Sequence, residues 1–106
     1  MDITTTESRP GRRITAVKGV AVGSTVRTKN IGKYIGAGLK SLVGGELKSY
    51  SAMLVEARSE ALSRMEAQAT ELGADAAVNL RFMTSAVASG ASEILAYATA
   101  VTTEPV

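Results

Sequence analysis

Three basic side chains beside a glycine-rich run are the residues of this chain best suited to binding an anion. Arg27, Lys29 and Lys33 lie within seven positions of one another, and Asn30 lies between them. A helix that begins near Asn30 would add the partial positive charge of its free backbone N–H groups. The cluster is therefore a candidate site for a phosphate group or an acidic partner. An exposed basic turn or an ion pair between subunits explains the same residues, and we favour that interpretation.

The glycines that follow lack the spacing of a nucleotide-binding loop. Such loops match GxxxxGK[ST] or GxGxxG, and the run "GAGLKSLVGG", residues 36–45, matches neither. Each interior glycine costs a helix about 1 kcal/mol relative to alanine, so a structural benefit is expected in return. We predict a close helix crossing at Gly36 and a sharp turn at Gly44 and Gly45. The alternative is an anion- or nucleotide-binding module that uses this basic, glycine-rich segment.

A second group of candidate residues falls mainly on the last two predicted strands. Arg81 and Glu93 could form an ion pair that orients a ligand, or one that fixes strand register or a subunit interface. Tyr50 and Tyr97 could supply hydroxyl groups at the same place, and Glu46 lies where a negative charge suits the start of a helix. We treat all five as candidate ligand-binding or interface positions.

The chain lacks the side chains of the common catalytic and soft-metal sites. It has no histidine and no cysteine, which removes the usual general base at neutral pH and the best ligands for zinc and copper. The four methionines show no metal-binding spacing, and Met65 is expected in the core. A hard-cation site from Glu46, Glu56 or Glu93 has no support from spacing. We expect no enzyme activity, no cofactor and no specific metal site.

The predicted elements follow the order strand, strand, helix, helix, strand, strand. Residues 1–7 form a short strand, Pro10-Gly11 a turn, and Ile14 to Thr28 a strand that bends at its interior glycines, Gly19 and Gly23. A short amphipathic helix is predicted from Asn30 to Val43 and a long one from Glu46 to Leu72. Two strands, residues 76–87 and 93–104, form a hairpin through the turn at 88–92. In the first of them, Ala76, Val78, Leu80 and Phe82 are expected on one face.

The long helix is the clearest element. Apolar residues recur every three or four positions, as in an amphipathic helix: Leu47, Tyr50, Leu54, Ala57, Ala61, Met65, Ala69 and Leu72. Glu60 and Arg64 form an i,i+4 pair, and Gly73 follows as a C-terminal cap. The fold class is α+β: an antiparallel-rich sheet with one short and one long helix packed on it.

Composition favours association into an oligomer. The 106 residues suit a single domain, and only 4% are aromatic, so small side chains build the core. Nine basic and three acidic residues give residues 1–50 a net charge of +6, whereas three basic and seven acidic residues give 51–106 a net charge of −4. Opposite charges of this kind can bring neighbouring subunits together, and nucleic acid is an unlikely partner because aromatic stacking side chains are scarce. With no apolar leader or spanning segment, we expect a cytoplasmic protein.

The runs "LVGGELKSY" and "LGADAAVNLRF", with the closing "EILAYATAV", carry a family resemblance. The chain resembles the YbjQ-like family of small bacterial and archaeal proteins from Ile3 to Thr102. The resemblance implies one domain over residues 1–106 and an α+β subunit that assembles into a closed ring, a homopentamer. The family has no settled activity and often carries the label "putative heavy-metal-binding". Our leading hypothesis is a non-enzymatic, ring-forming homo-oligomer that binds a small ligand or ion at its subunit interfaces.

Overall fold

The computed structural model describes residues 1–28, 45–88 and 91–106, with side chains for 1–27, 51–88 and 91–106. The described elements are β1 (Asp2–Ile3), β2 (Arg12–Thr28), α1 (Gly45–Glu71), β3 (Ala76–Ala88) and β4 (Ala91–Pro105). The strands form one mixed sheet in the order β1-β3-β4-β2. β1 is parallel to β3, and the other two pairs are antiparallel. The long helix and the antiparallel pairing of the last two strands are confirmed. β2 has a register shift just before Gly19 but pairs without interruption across Gly23. The predicted turn at 88–92 is shorter, since β3 extends to Ala88 and β4 begins at Ala91, and the short predicted helix lies outside the described residues.

Helix α1 packs on one face of the sheet through unusually small side chains. Ala57, Ala61, Met65 and Ala69 are fully buried, as the helical periodicity predicts. They meet a facing row of small residues on the sheet: Ala21, Ala77, Ala96, Ala98 and Ala100. Because alanine faces alanine, the helix axis lies close to the sheet.

The closest helix–sheet approach occurs at Gly23 of β2. A Cβ atom at this position would lie 2.2 Å from both the Ala61 carbonyl oxygen and the Met65 backbone nitrogen. No side chain fits there unless the helix moves. The neighbouring Thr25 is buried and its hydroxyl donates to the Ala57 carbonyl oxygen at 3.1 Å. Gly23 is therefore required by backbone contact, one of the reasons for a glycine inside a strand.

The C-terminus of α1 is closed by Gly73, as predicted. Gly73 has a φ of +84°, and its N–H donates to the Thr70 carbonyl oxygen at 3.0 Å. The N–H of Ala74 donates to the Ala69 carbonyl oxygen at 3.1 Å. These two bonds are those of a Schellman motif.

The predicted alternation of β3 is wrong beyond Val78. Asn79 has a φ of +56°, and the pairing with β4 shifts by one residue between Val78 and Arg81. This β-bulge turns the following side chains to the opposite face. Ala76 and Val78 therefore belong to a small cluster separate from the helix side, whereas Leu80 packs against the helix-side core.

The N-terminal segment holds the bulge in place. The backbone N–H of Asn79 donates to the Thr6 carbonyl oxygen, and that of Leu80 to the Thr4 carbonyl oxygen, both at 2.9 Å. The predicted first strand, residues 1–7, is reduced to the two residues Asp2–Ile3, although Thr4 and Thr6 still exchange backbone hydrogen bonds with β3. Among the described residues, no helix is long and apolar enough to cross a membrane.

Candidate functional site

The sheet face opposite α1 carries several exposed apolar side chains. The strand pairing places three rows across this face: Val22, Tyr97 and Arg81; Ser24, Leu95 and Met83; and Val26, Glu93 and Ser85. We call these nine residues, together with Val20, the open face. Val20, Val26 and Met83 are 63%, 53% and 56% exposed. Exposed aliphatic side chains grouped on one face make that face a candidate interaction surface.

The described part of the chain is elongated, and none of its described helices lies on this face. The chain measures 58 × 23 × 16 Å, with a radius of gyration of 17.6 Å. A compact domain of this length has a radius of gyration of about 13 Å. The long antiparallel strands therefore extend the subunit well beyond a compact shape, and only one of their faces carries a described helix.

Two side chains of α1 bind the outer edge of β2. The N–H of Val22 donates to Gln68 Oε1, and Arg64 Nη1 donates to the Ser24 carbonyl oxygen at 2.6 Å. β2 is the last strand of the sheet, so these groups would otherwise be open to another chain. The helix thus satisfies part of the hydrogen-bonding edge of β2.

Arg27, the first residue of the predicted basic cluster, is paired within the chain. Its guanidinium and that of Arg64 each donate to one carboxylate oxygen of Glu60. The hydrogen bond from Arg27 is the main cause that lowers the pKa of Glu60; partial burial opposes it, and the charges of both arginines add to it. This bridge joins α1 to β2 and uses the charge that an anion would need. It also confirms the predicted Glu60–Arg64 pair.

Arg81, Glu93 and Tyr97 all lie on the open face, but they do not form one cluster. Arg81 is opposite Tyr97, whereas Glu93 is opposite Ser85, four residues further along β3 and about 13 Å away. Arg81 Nη1 donates instead to the carbonyl oxygens of Thr5 and Leu80, at 2.9 and 2.7 Å. The three residues are thus placed on one surface where a second molecule could contact them.

The structure describes the remaining predicted site residues only in part. Lys29, Asn30, Gly36 and Gly44 lie outside the described residues. Gly45, Glu46 and Tyr50 lie in the first turns of α1, where the backbone alone is described. Their predicted roles stay predictions.

A groove lies along the flank of α1 above β3. Its volume is about 260 Å³, and it is lined by Val55, Arg58, Ser59, Leu62 and Phe82. Val55 and Phe82 are 53% and 43% exposed. Sequence reasoning missed this groove, because Phe82 reaches the helix side only through the bulge at Asn79.

Sequence reasoning also missed the open face, although its signal is present. Val20, Val22 and Val26 alternate with the small residues that lie under the helix, Ala21, Gly23 and Thr25. Such a period of two indicates a strand whose two faces differ. Within the described residues, no group of three or more aspartate or glutamate side chains could hold a metal ion.

The fold is a small α+β domain, with one described helix on a four-stranded mixed sheet. The chain belongs to the YbjQ-like family, whose model carries the description "Putative heavy-metal-binding" and matches residues 1–104.

The names of similar proteins state no activity. A "UPF0145 protein" of Methanoculleus marisnigri is 57% identical over 105 residues, which cover 99% of this chain and 98% of that protein. One from Vibrio campbellii is 52% identical over 101 residues, 95% of this chain and 97% of that protein. A crystal structure of a protein with unknown function, of the DUF74 family from Pediococcus pentosaceus, matches with a TM-score of 0.66. It is 18% identical and the match covers 98% of both chains, which shows a shared fold.

Proposed function

We propose that this protein is a non-enzymatic homo-oligomer that closes into a ring and binds a small ligand or ion where subunits meet. The observation that carries the proposal is the open face. A sheet face with this many exposed aliphatic residues is stabilised when it is removed from water, by roughly 25 cal/mol per Å². A second copy of the chain is always available to cover it.

The composition of the core supports association. The fully buried residues on the helix–sheet interface are mostly alanine, and alanine contributes little buried area per residue. Burial of the open face between subunits would add the apolar contacts that one elongated subunit lacks. Contacts between two different surfaces generate closed rings when the rotation closes, and the family resemblance suggests five subunits.

The proposed ligand position is the subunit seam on the open face. Arg81, Tyr97 and Glu93 offer a cation, a hydroxyl and a carboxylate on that surface. A soft-metal site is not part of the proposal, because the chain has no cysteine and no histidine. The competing anion-binding module loses support from Arg27, whose guanidinium already holds Glu60.

Native mass spectrometry of the untreated protein tests both halves of the proposal. The expected spectrum shows one oligomer, with added mass if a ligand is retained. Met83→Lys removes an apolar contact and places a charge on the open face, so it should shift the oligomer toward monomer. Ser8→Lys adds the same charge on an exposed part of the N-terminal segment and is the matched control. A parent protein that is monomeric would overturn the ring.

A further inference from the structure

We propose that α1 protects the outer edge of β2 against pairing with β2 of a second copy of this chain. Two helix side chains, Gln68 and Arg64, occupy backbone groups that a second strand would otherwise bond. The inference does not depend on the proposed ring, because it concerns a contact that the folded chain prevents. An open edge would let two copies join their sheets by the backbone bonds that build any sheet.

The backbone groups in question point away from the rest of the sheet. β2 is the last strand of the sheet, so only one of its edges pairs with β4. In an antiparallel pair, successive residues direct their backbone groups alternately toward the partner strand and away from it. The N–H of Val22 donates to Gln68 and the carbonyl oxygen of Ser24 accepts from Arg64. These two residues therefore belong to the outer edge, and Gly23 between them belongs to the pairing with β4.

The protected stretch has the composition of a strand that pairs with its own copies. Residues 20–26, "VAVGSTV", contain no charge, no proline and one glycine. They pair with β4 without a register shift, so their backbone is regular. Segments of six or seven residues with high β-propensity and no charge add to one another readily when their edges are open.

The first half of β2 is protected in a different way. Its pairing with β4 shifts between Ile14 and Ala16 and again between Val17 and Gly19. Each bulge bends and twists the strand, and the second one includes the exposed charge of Lys18. Bulges and lysines are common means of hindering pairing at a sheet edge. The helix side chains thus lie on the half of β2 that has neither.

Helix α1 reaches the outer edge because it packs directly over β2. At Gly23 the helix backbone of Ala61 and Met65 lies so close that an added Cβ would overlap it. Arg64 and Gln68 are four residues apart, so their side chains leave the same side of the helix. A helix placed over the next strand would lie about 4.8 Å further from the edge. The close approach at Gly23 therefore lets both side chains reach past β2.

Amide hydrogen exchange of the folded protein tests the protection directly. Gln68→Ala removes the acceptor without adding apolar surface, and Gln68→Glu keeps an acceptor oxygen at the same position. The Val22 amide should exchange about five- to tenfold faster in the alanine variant, as expected for one lost hydrogen bond. It should exchange as in the parent in the glutamate variant, and the Gly23 amide should not change in either. Equal exchange of Val22 in all three proteins would overturn the inference.

Association of the opened edge is the second test. The double variant Gln68→Ala with Arg64→Ala leaves both backbone groups without their helix partners. Light scattering at neutral pH, well below the melting temperature, should show this variant growing with time beyond the mass of the parent. The parent and Gln68→Glu should keep a constant mass. A double variant that also keeps the parent's mass would refute the strand addition.

Val22→Pro separates strand addition from a general loss of stability. Proline has no N–H, and edge strands accept it where that N–H points away from the sheet. The preceding residue, Ala21, lies within a strand, which is the conformation that proline favours before it. Added to the double variant, Val22→Pro should return the association to the level of the parent, because an incoming strand finds no donor there. Equal association with and without the proline would assign it to lost stability and overturn the inference.

Discussion

At the scale of single residues, the packing of α1 on the sheet depends most on Gly23. This position combines an ordinary strand backbone with direct contact to the helix backbone at Ala61 and Met65. The glycines that drew attention in the sequence lie at 32–45, but the close approach described here comes from a strand glycine. The sequence signal for this contact is a glycine within a run of β-branched residues, in a chain whose long helix carries a stripe of alanines.

Gly23→Ala should be strongly destabilising although alanine suits a strand better. The added Cβ would overlap backbone atoms of α1, which cannot rotate away, so we expect a loss of at least about 3 kcal/mol, at the upper end for overpacking. Gly11→Ala is the control, since Gly11 has a φ of +80° but no atom within 4 Å of an added Cβ. It should cost about 1–2 kcal/mol from backbone strain alone. Urea unfolding of both variants distinguishes them, and equal midpoints would contradict the contact.

Glu60 gives the structure a defined pH dependence. Hydrogen bonding and charge from Arg27 and Arg64 lower its pKa in the folded state below the ordinary 4.5. Because the folded-state pKa of Glu60 is lowered, the bridge stabilises the folded chain at pH values above 4.5. This stabilisation is lost as the pH falls through the folded-state pKa.

The test compares melting temperatures of the parent and Glu60→Gln at fixed protein concentration. The parent should exceed the variant near neutral pH, and the difference should shrink once the pH drops below 4.5. A difference that stays constant down to acidic pH would show that the carboxylate charge is not the cause.

At the scale of elements, the bulge at Asn79 decides which side chains face the helix. Asparagine tolerates a positive φ better than most other non-glycine residues. The backbone N–H groups of Asn79 and Leu80 donate to the carbonyl oxygens of Thr6 and Thr4. Through this one residue, Leu80 and Phe82 move to the helix side, and Arg81 and Met83 to the open face.

Replacement of Asn79 should follow backbone tolerance rather than side-chain size. Asn79→Gly should be nearly neutral, because glycine adopts the same φ freely. Asn79→Val should cost about 1–3 kcal/mol, because a β-branched residue is strained at positive φ. Thermal melts give the stability, and amide exchange at Leu80 reports whether the bonds to the N-terminal segment survive. A valine variant as stable as the parent would refute the assigned strain.

The sequence predicts best the elements in which apolar residues recur at a regular spacing. The alanine stripe of α1 recurs every three or four residues, and Gly73 closes it; both are confirmed within one or two residues of the predicted bounds. The prediction of which β3 side chains share a face was wrong, because an alternating sequence pattern does not show where a bulge inserts an extra residue. The groove could not be predicted for the same reason, as it depends on where Phe82 points after the bulge.

At the scale of the whole molecule, the sequence predicted association from composition, and the structure supplies a surface that association would cover. The composition indicates a core of small side chains. Whether a sheet face is exposed depends on which side of the strands the helix covers. That is a property of three-dimensional pairing, because β2 lies far along the chain from the hairpin of β3 and β4 that it joins. The ligand-binding expectation for Arg27 could not anticipate Glu60, since 33 residues separate the two.

The central claim is that the open face lies between subunits, and the mass of the particle in solution tests it most directly. Light scattering coupled to size-exclusion chromatography at micromolar concentration should give one peak at a multiple of the 11.0 kDa chain. We predict five times that mass, unchanged on moderate dilution. A single peak at the mass of one chain, with the protein folded by circular dichroism, would contradict the account.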